Sequence, residues 1–243
     1  ITGFNTMTKP TLILVPGLMC DETSWGPVAP ALSAHMPCRV VSHGHADSLL
    51  AMAHQILETA PAQFCLAGHS MGGRVALEVV RLAPERVLRL GLLGTGYRAK
   101  EAGAAGETEV QKRQVLLDIA KQQGVRAMAQ TWVQNMVAPS RLNDAALIED
   151  IVHMFERKSE DIFKRQIKAL LERPEASDVL AHVQVPTLVM AGEFDAWASP
   201  QQHQEIADLL PARPHVDVVT GAGHMMMMEK PEAVTASFLR WLA

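Results

Sequence analysis

The sequence predicts an α/β chain: about six mostly parallel strands flanked by helices, with a helical segment inserted after the fourth strand. Three observations carry this. Short apolar or β-branched runs alternate with helical patterns up to about Arg98. From about Ala99 to Val183 only helical spacing appears, and the alternation then resumes to the end. Strands separated by helices imply crossover connections and a parallel sheet.

Taken in order, Thr11 to Val15 is apolar, ends at Pro16-Gly17 and reads as a buried strand. Asp21 to about His35 reads as a helix with Asp21 or Thr23 as cap, made short or irregular by Pro27 and Pro30. Arg39 to Ser42 reads as the second strand, followed by a His43-Gly44-His45 loop. Ser48 to Thr59 places Leu49, Met52, Ala53, Ile56 and Leu57 at helical spacing. Gln63 to Ala67 is the third strand, Arg74 to Leu82 the helix leaving it, and Val87 to Leu93 the fourth strand.

The inserted segment carries helical patterns at 107–123, 125–137, 144–158 and 161–172, punctuated by Gly124, Pro139-Ser140 and Pro174. The Ala/Gly-rich run 102–106 reads as a flexible entrance to it. Thr187 to Gly192 is the fifth strand, Ser199 to Leu210 a helix opened by Pro200, Val216 to Val219 the sixth strand, and Pro231 to Leu242 the last helix. The expected division is a core of residues 7–98 and 184–243, and a helical cap of residues 99–183. Residues 1–6, ahead of Met7, read as a tag or an extended start.

With 243 residues, 48% hydrophobic and 20% charged, the chain can bury a full core. A net charge of -4 gives no footprint for nucleic acid or an anionic membrane. No apolar run approaches the ~18 residues that a bilayer crossing takes. The run Leu12 to Val15 follows Lys9 but stops at Pro16-Gly17 with no small-residue cleavage site, so it reads as a strand rather than a signal peptide. Cys20, Cys38 and Cys65 form no paired framework; reduced thiols and a cytoplasmic location are expected.

Between the third strand and its helix lies Gly68-His69-Ser70-Met71-Gly72-Gly73, a G-x-S-x-G pattern. A turn straight from strand into helix strains the serine backbone and lifts its hydroxyl above the sheet edge. Gly68 and Gly72 lack the Cβ atoms that would clash where strand and helix pass closely. The N–H of Met71 then falls at a helix start, where partial positive charge favours an oxyanion. A serine hydroxyl also needs a base, and the base an orienting carboxylate. Gly192-Glu193-Phe194-Asp195 follows the fifth strand and Gly221-Ala222-Gly223-His224 the sixth. In a parallel sheet those strand ends share one edge, so Ser70, Asp195 and His224 can converge. Their chain order is the one found with this elbow. Glu193 is the second choice for the acid. His69 is expected to turn away from the serine and make a structural hydrogen bond. His43 and His45 resemble a metal pair but have no partner at ligand spacing, and read as a solvated loop.

Together these pieces resemble the α/β-hydrolase superfamily, in its small, helical-cap, esterase/lactonase-like branch. The matching stretches are Val15-Pro16-Gly17-Leu18, Gly68 to Gly73, Ala83-Pro84-Glu85-Arg86-Val87, Gly192 to Asp195, and Gly221 to His224 with Glu229-Lys230-Pro231-Glu232. The resemblance implies the α/β-hydrolase fold, with Ser70 as nucleophile, Asp195 as acid and His224 as base. It also implies an oxyanion hole from the N–H groups of Leu18 and Met71, and neither metal nor organic cofactor. Two departures stand out. Pro16-Gly17 replaces the His-Gly of many relatives, and the stretch before the first strand is too short for the antiparallel hairpin common in the family.

The chain has 13 methionines and only 5% aromatic residues. Met19, Trp132, Met136, Trp197 and Met225 are expected to line an adaptable apolar pocket. Arg74 and Arg98 are expected at the surface, with no cationic cluster demanding an anionic substrate. The expected function is a serine hydrolase cleaving carboxylic esters or lactones of small to medium, largely apolar acyl groups through an acyl-enzyme on Ser70. The alternatives are a C–C bond hydrolase, perhydrolase or acyltransferase with the same three groups, or a ligand-binding protein of hydrolase fold. The expected partner is a small-molecule substrate, with no nucleic acid and no membrane, for a monomer or homodimer.

Overall fold

The computed structural model describes residues 8–243; the tag or extended start expected at 1–6 lies outside them. The first half runs β1 (Leu12–Val15), α1 (Val28–Ser33), β2 (Cys38–Val40), α2 (Leu49–Thr59), β3 (Phe64–His69), α3 (Met71–Leu82) and β4 (Val87–Leu93). Five helices follow with no strand between them: α4 (Ala104–Gln123), α5 (Val125–Trp132), α6 (Ala145–Glu156), α7 (Glu160–Leu171) and α8 (Ser177–His182). The chain ends with β5 (Thr187–Gly192), α9 (Pro200–Leu209), β6 (Val216–Val219), α10 (Met226–Glu229) and α11 (Pro231–Leu242).

The strands form one sheet in the order β2-β1-β3-β4-β5-β6, every neighbouring pair parallel. Period two divides each central strand between two cores. Ile13, Val15, Phe64 and Leu66 face α2, α3 and the inserted helices. Leu12, Leu14, Cys65 and Ala67 face α1 and α11, where Trp25, Phe238 and Trp241 stack edge to face. The chain leaves β1 for β2 on one side, then crosses to β3 on the other. The order therefore reverses between β1 and β3, where open parallel sheets place their ligand crevice.

Local chemistry sets the element ends. Ser48, Asp144, Ser159 and Ser199 each accept a backbone N–H at the start of their helices, Ser199 in a reciprocal capping box with Gln202. Several expectations change. The helix expected from Asp21 to His35 is two pieces: a tight turn at Glu22–Trp25 capped by Asp21, then α1. Gly26, at φ 39°, and Pro27, which lacks an N–H, separate them. The run 102–106 is not a loose entrance, because Ala104 to Gly106 form the first turn of α4. The second insertion helix stops at Trp132 and tightens into a short turn instead of reaching Val137. The short helices α8 and α10 went unread, each being too brief to display helical periodicity.

The inserted helices do not stand apart from the sheet. Buried side chains of α5, α6, α7 and α8 belong to the same continuous core as β1, β3 and α3. Arg157 and Lys158, just past α6, meet Asp21 after β1 at 2.9 Å each. Among the described residues no helix is long and apolar enough to cross a membrane.

Candidate active site

Ser70 sits between β3 and α3 with φ 56° and ψ -121°, a left-handed conformation that a non-glycine residue adopts only under constraint. The constraint is visible. A Cβ on Gly72 would overlap the Val15 backbone, so only glycine lets α3 start this close to β1. The Ser70 N–H donates to Leu93 O on β4 at 2.9 Å, and Ser70 O accepts the Thr95 hydroxyl at 2.7 Å. Thr95 is held in turn: its N–H donates to His203 Nε2 at 3.0 Å. Nδ1 of His203 therefore carries the proton and donates to Ser199 O at 2.8 Å. Burial keeps this imidazole below its ordinary pKa, in the neutral form this chain of bonds requires.

Asp195 and His224 come from the loops after β5 and β6. Asp195 Oδ1 accepts the N–H groups of Trp197 and Ala198, both at 2.9 Å, and Oδ2 lies 2.7 Å from His224 Nδ1. Burial alone would raise the Asp195 carboxyl. The His224 ring and the two N–H groups outweigh it and hold the pKa below the usual carboxylate value. An ionised Asp195 fixes the proton on Nδ1 and leaves His224 Nε2 as the acceptor. Glu193, the second candidate acid, instead accepts the Gly221 N–H at 2.7 Å and shapes the histidine loop. His69 turns from the serine as expected: its Nε2 donates to His224 O at 2.8 Å, and the two rings lie 4.7 Å apart. Burial and then the His224 ring push its pKa down to about 3.

The turn after β1 carries the other expected oxyanion donor. Gly17 O accepts the Cys20 N–H at 3.1 Å, which closes a turn around Leu18 and Met19, the latter at φ 61°. Two side chains pin it. His43 Nε2 donates to Pro16 O at 2.8 Å, and Gln166 of α7 accepts the Met19 N–H at 2.7 Å. Leu18 and Met71 both border a cavity of about 730 Å³ that Ser70 and His224 also line. The Met71 N–H is one of the helix-start donors that lack an intrahelical acceptor.

Trp132, Met136, Trp197 and Met225 line this cavity. Trp197 meets the His224 ring edge-on at 5.0 Å and Trp132 at 5.5 Å, forming an aromatic wall. Three expectations are corrected. Met19 is fully buried and outside the cavity lining, because its left-handed backbone turns the side chain into the core. His43 is not solvated but 4% exposed, a structural prop for the turn. Arg74, expected at the surface, is largely buried and lines the cavity beside Lys112, Arg113 and Arg173; Arg98 also borders it but is exposed, as expected.

Sequence spacing does not reveal the structural roles of Gln166, His203 and Glu229, although Glu229 falls in a stretch that matches the family. Glu229 is 4% exposed and accepts the N–H groups of Ala138, at 2.7 Å, and Gly223, at 3.0 Å, tying the inserted helices to the His224 loop. Gln166 did leave a trace, as a polar residue on the apolar face formed by Phe163, Ile167 and Leu170.

Comparison with known proteins agrees with this architecture. A model of the Alpha/beta hydrolase family matches residues 12–237. A pimeloyl-[acyl-carrier protein] methyl ester esterase of Vibrio vulnificus is 27% identical, over 92% of this chain and 91% of that protein. A thermophilic esterase from Thermogutta terrifontis, solved with malate bound, superposes with a TM-score of 0.83 at 25% identity, covering 97% of this chain and 90% of that one. The enol-lactonase from Burkholderia xenovorans has the same fold, with a TM-score of 0.82 at 21% identity over 99% and 94% of the two chains. With a strained serine at the β3–α3 turn and a parallel sheet of six strands, the chain belongs to the alpha/beta hydrolase family.

Proposed function

We propose that this protein is a serine hydrolase that cleaves carboxylic esters, lactones included, with small to medium acyl chains through an acyl-enzyme on Ser70. The observation that carries the reading is the 2.7 Å contact between Asp195 and His224 Nδ1, with His224 opening onto the same cavity as the left-handed Ser70. In this reading His224 Nε2 takes the Ser70 proton, and Oγ attacks the carbonyl carbon. The tetrahedral oxyanion is held by the N–H groups of Met71 and Leu18, each stabilising it by on the order of 3 kcal/mol. His224 returns the proton to the leaving alcohol, then draws one from the water that releases the acid. Asp195 stays ionised throughout, and residues 99–183 act as a cap over the site. The esterase relative from Vibrio vulnificus supports ester chemistry in general.

The test is a panel of p-nitrophenyl esters and lactones with pure protein. Turnover is expected, and Ser70→Ala should lower kcat by on the order of 10⁶ where chemistry is limiting. Purified protein that hydrolyses none of them contradicts the reading.

A further inference from the structure

One lobe of the cavity is charged, and the chemistry at Ser70 makes no use of it. Arg74 lies one turn along α3 from Ser70, about 6 Å along the helix axis. Its Nη1 donates to Arg98 O at 2.9 Å, and Arg173 Nε donates to the same oxygen at 3.0 Å, so two guanidinium groups converge there. Arg173 forks onto Glu109, Nη1 to Oε1 at 2.7 Å and Nη2 to Oε2 at 2.9 Å, while Arg113 Nε reaches the same Oε1 in a bond that Arg113 Nη2 reinforces, also at 3.0 Å. Two guanidinium groups, those of Arg113 and Arg173, thus share one carboxylate. Arg98 is matched by Glu205 at 3.0 Å.

Arg74 has no carboxylate partner among the described residues. A side chain at Gly96 would overlap its guanidinium, so the backbone there makes room for it. Burial and then the charge of Arg173 pull its pKa down to about 9, and the carboxylates of Glu109 and Glu175, neither bonded to it, offset this only in part. Arg74, Arg113, Arg173 and Glu109 all line the cavity that Ser70 and His224 line. A partly desolvated, unmatched cation is costly, and an anion entering the cavity would offset that cost.

We propose that this cluster is an anion subsite, and that the substrate is an ester whose far end carries a carboxylate, held by Arg74. The proposal rests on the hydrolase reading above. It specifies a carboxylate because Glu109 already occupies the Arg173 fork and engages Arg113, leaving one guanidinium fork open, the match for a single bidentate carboxylate. The apolar part of the acyl chain would lie along cavity-lining residues such as Leu116 and Leu170.

The experiment measures kcat/KM for monoethyl esters of straight-chain dicarboxylic acids and for ethyl alkanoates of matched length. Wild-type protein is expected to prefer the acid ester at least about tenfold at one chain length, as suits a charged hydrogen bond. The preference should shrink as sodium chloride is raised, and Arg74→Gln should lose most of it. If Arg74→Gln does not fold, Arg74→Lys, which keeps the charge but not the fork, should cut the preference several-fold. Equal rates for acid and neutral esters at every length, or a preference unchanged in both variants, would overturn the subsite while leaving the hydrolase reading intact. If no ester of either kind is turned over, that reading fails instead. Calorimetric titration of the monoethyl esters then decides the subsite: binding that Arg74→Gln abolishes supports it, and absence of binding overturns it.

Discussion

Asp195 and Glu193 are two residues apart on one loop, yet they hold different partners, and in the proposed mechanism this separates their roles. Asp195 faces His224 Nδ1 and two backbone N–H groups, whereas Glu193 serves the Gly221 N–H. Asp195→Asn removes the charge that fixes the His224 proton and should lower kcat on an ester by about 10³–10⁴. Glu193→Gln keeps an acceptor for Gly221 and should leave the rate near that of the parent. Loss of activity in the second variant but not the first would reverse the assignment. Gln166 makes a second test at this scale. Gln166→Ala strands the buried Met19 N–H, at a cost of about 1–3 kcal/mol. Chemical denaturation should register that loss, and ester kinetics a lower kcat, because the turn that carries the Leu18 N–H keeps only its His43 pin.

The strand–turn–helix unit of β3 and α3 was legible in the sequence because its glycines are dictated by backbone contact. Gly72→Ala puts a methyl group into the Val15 backbone and should yield no folded protein, measured by circular dichroism of the purified chain. A folded variant with an unchanged melting point would show that β1 and α3 can separate. The other readable elements share this local origin: β5 is a continuous apolar run, and α9 announces itself by Ser199-Pro200 with Gln202 completing its cap. What stayed hidden depends on contacts distant in sequence. His43 looked solvated because nothing nearby in the chain reveals that it meets Pro16 across 27 positions. Arg74 reads as a surface residue from sequence because Arg113 and Arg173, which form the rest of the cluster, lie far along the chain, on α4 and just past α7 of the insertion. Sequence spacing reports on single helices and strands, and pockets assembled between them escape it.

Across the whole molecule, three neutral histidines are built into the structure around the site. Burial lowers the pKa of His43, His69 and His203 from the usual 6.5, that of His69 to about 3. As the pH falls through 6.5 the unfolded chain binds more protons on these rings than the folded one. Stability is therefore full above that value and falls with pH, by up to about 1.4 kcal/mol per unit for each ring. Burial raises the Glu229 and Glu78 carboxyls above 4.5, which acts in the opposite sense as the pH falls towards that value, so the histidine effect is read just below pH 7. Calorimetry should find the melting temperature dropping there, and a flat profile would contradict neutral burial of the three rings. The same sheet edge that gathers these props also gathers the Ser70, Asp195 and His224 loops, and on that convergence the functional account depends. Its most direct test is reaction with a fluorophosphonate followed by peptide mass mapping. One adduct per chain, on the Ser70 peptide, with ester hydrolysis lost in step, is the predicted result; an adduct on another peptide, or hydrolysis that survives full labelling of Ser70, would contradict it.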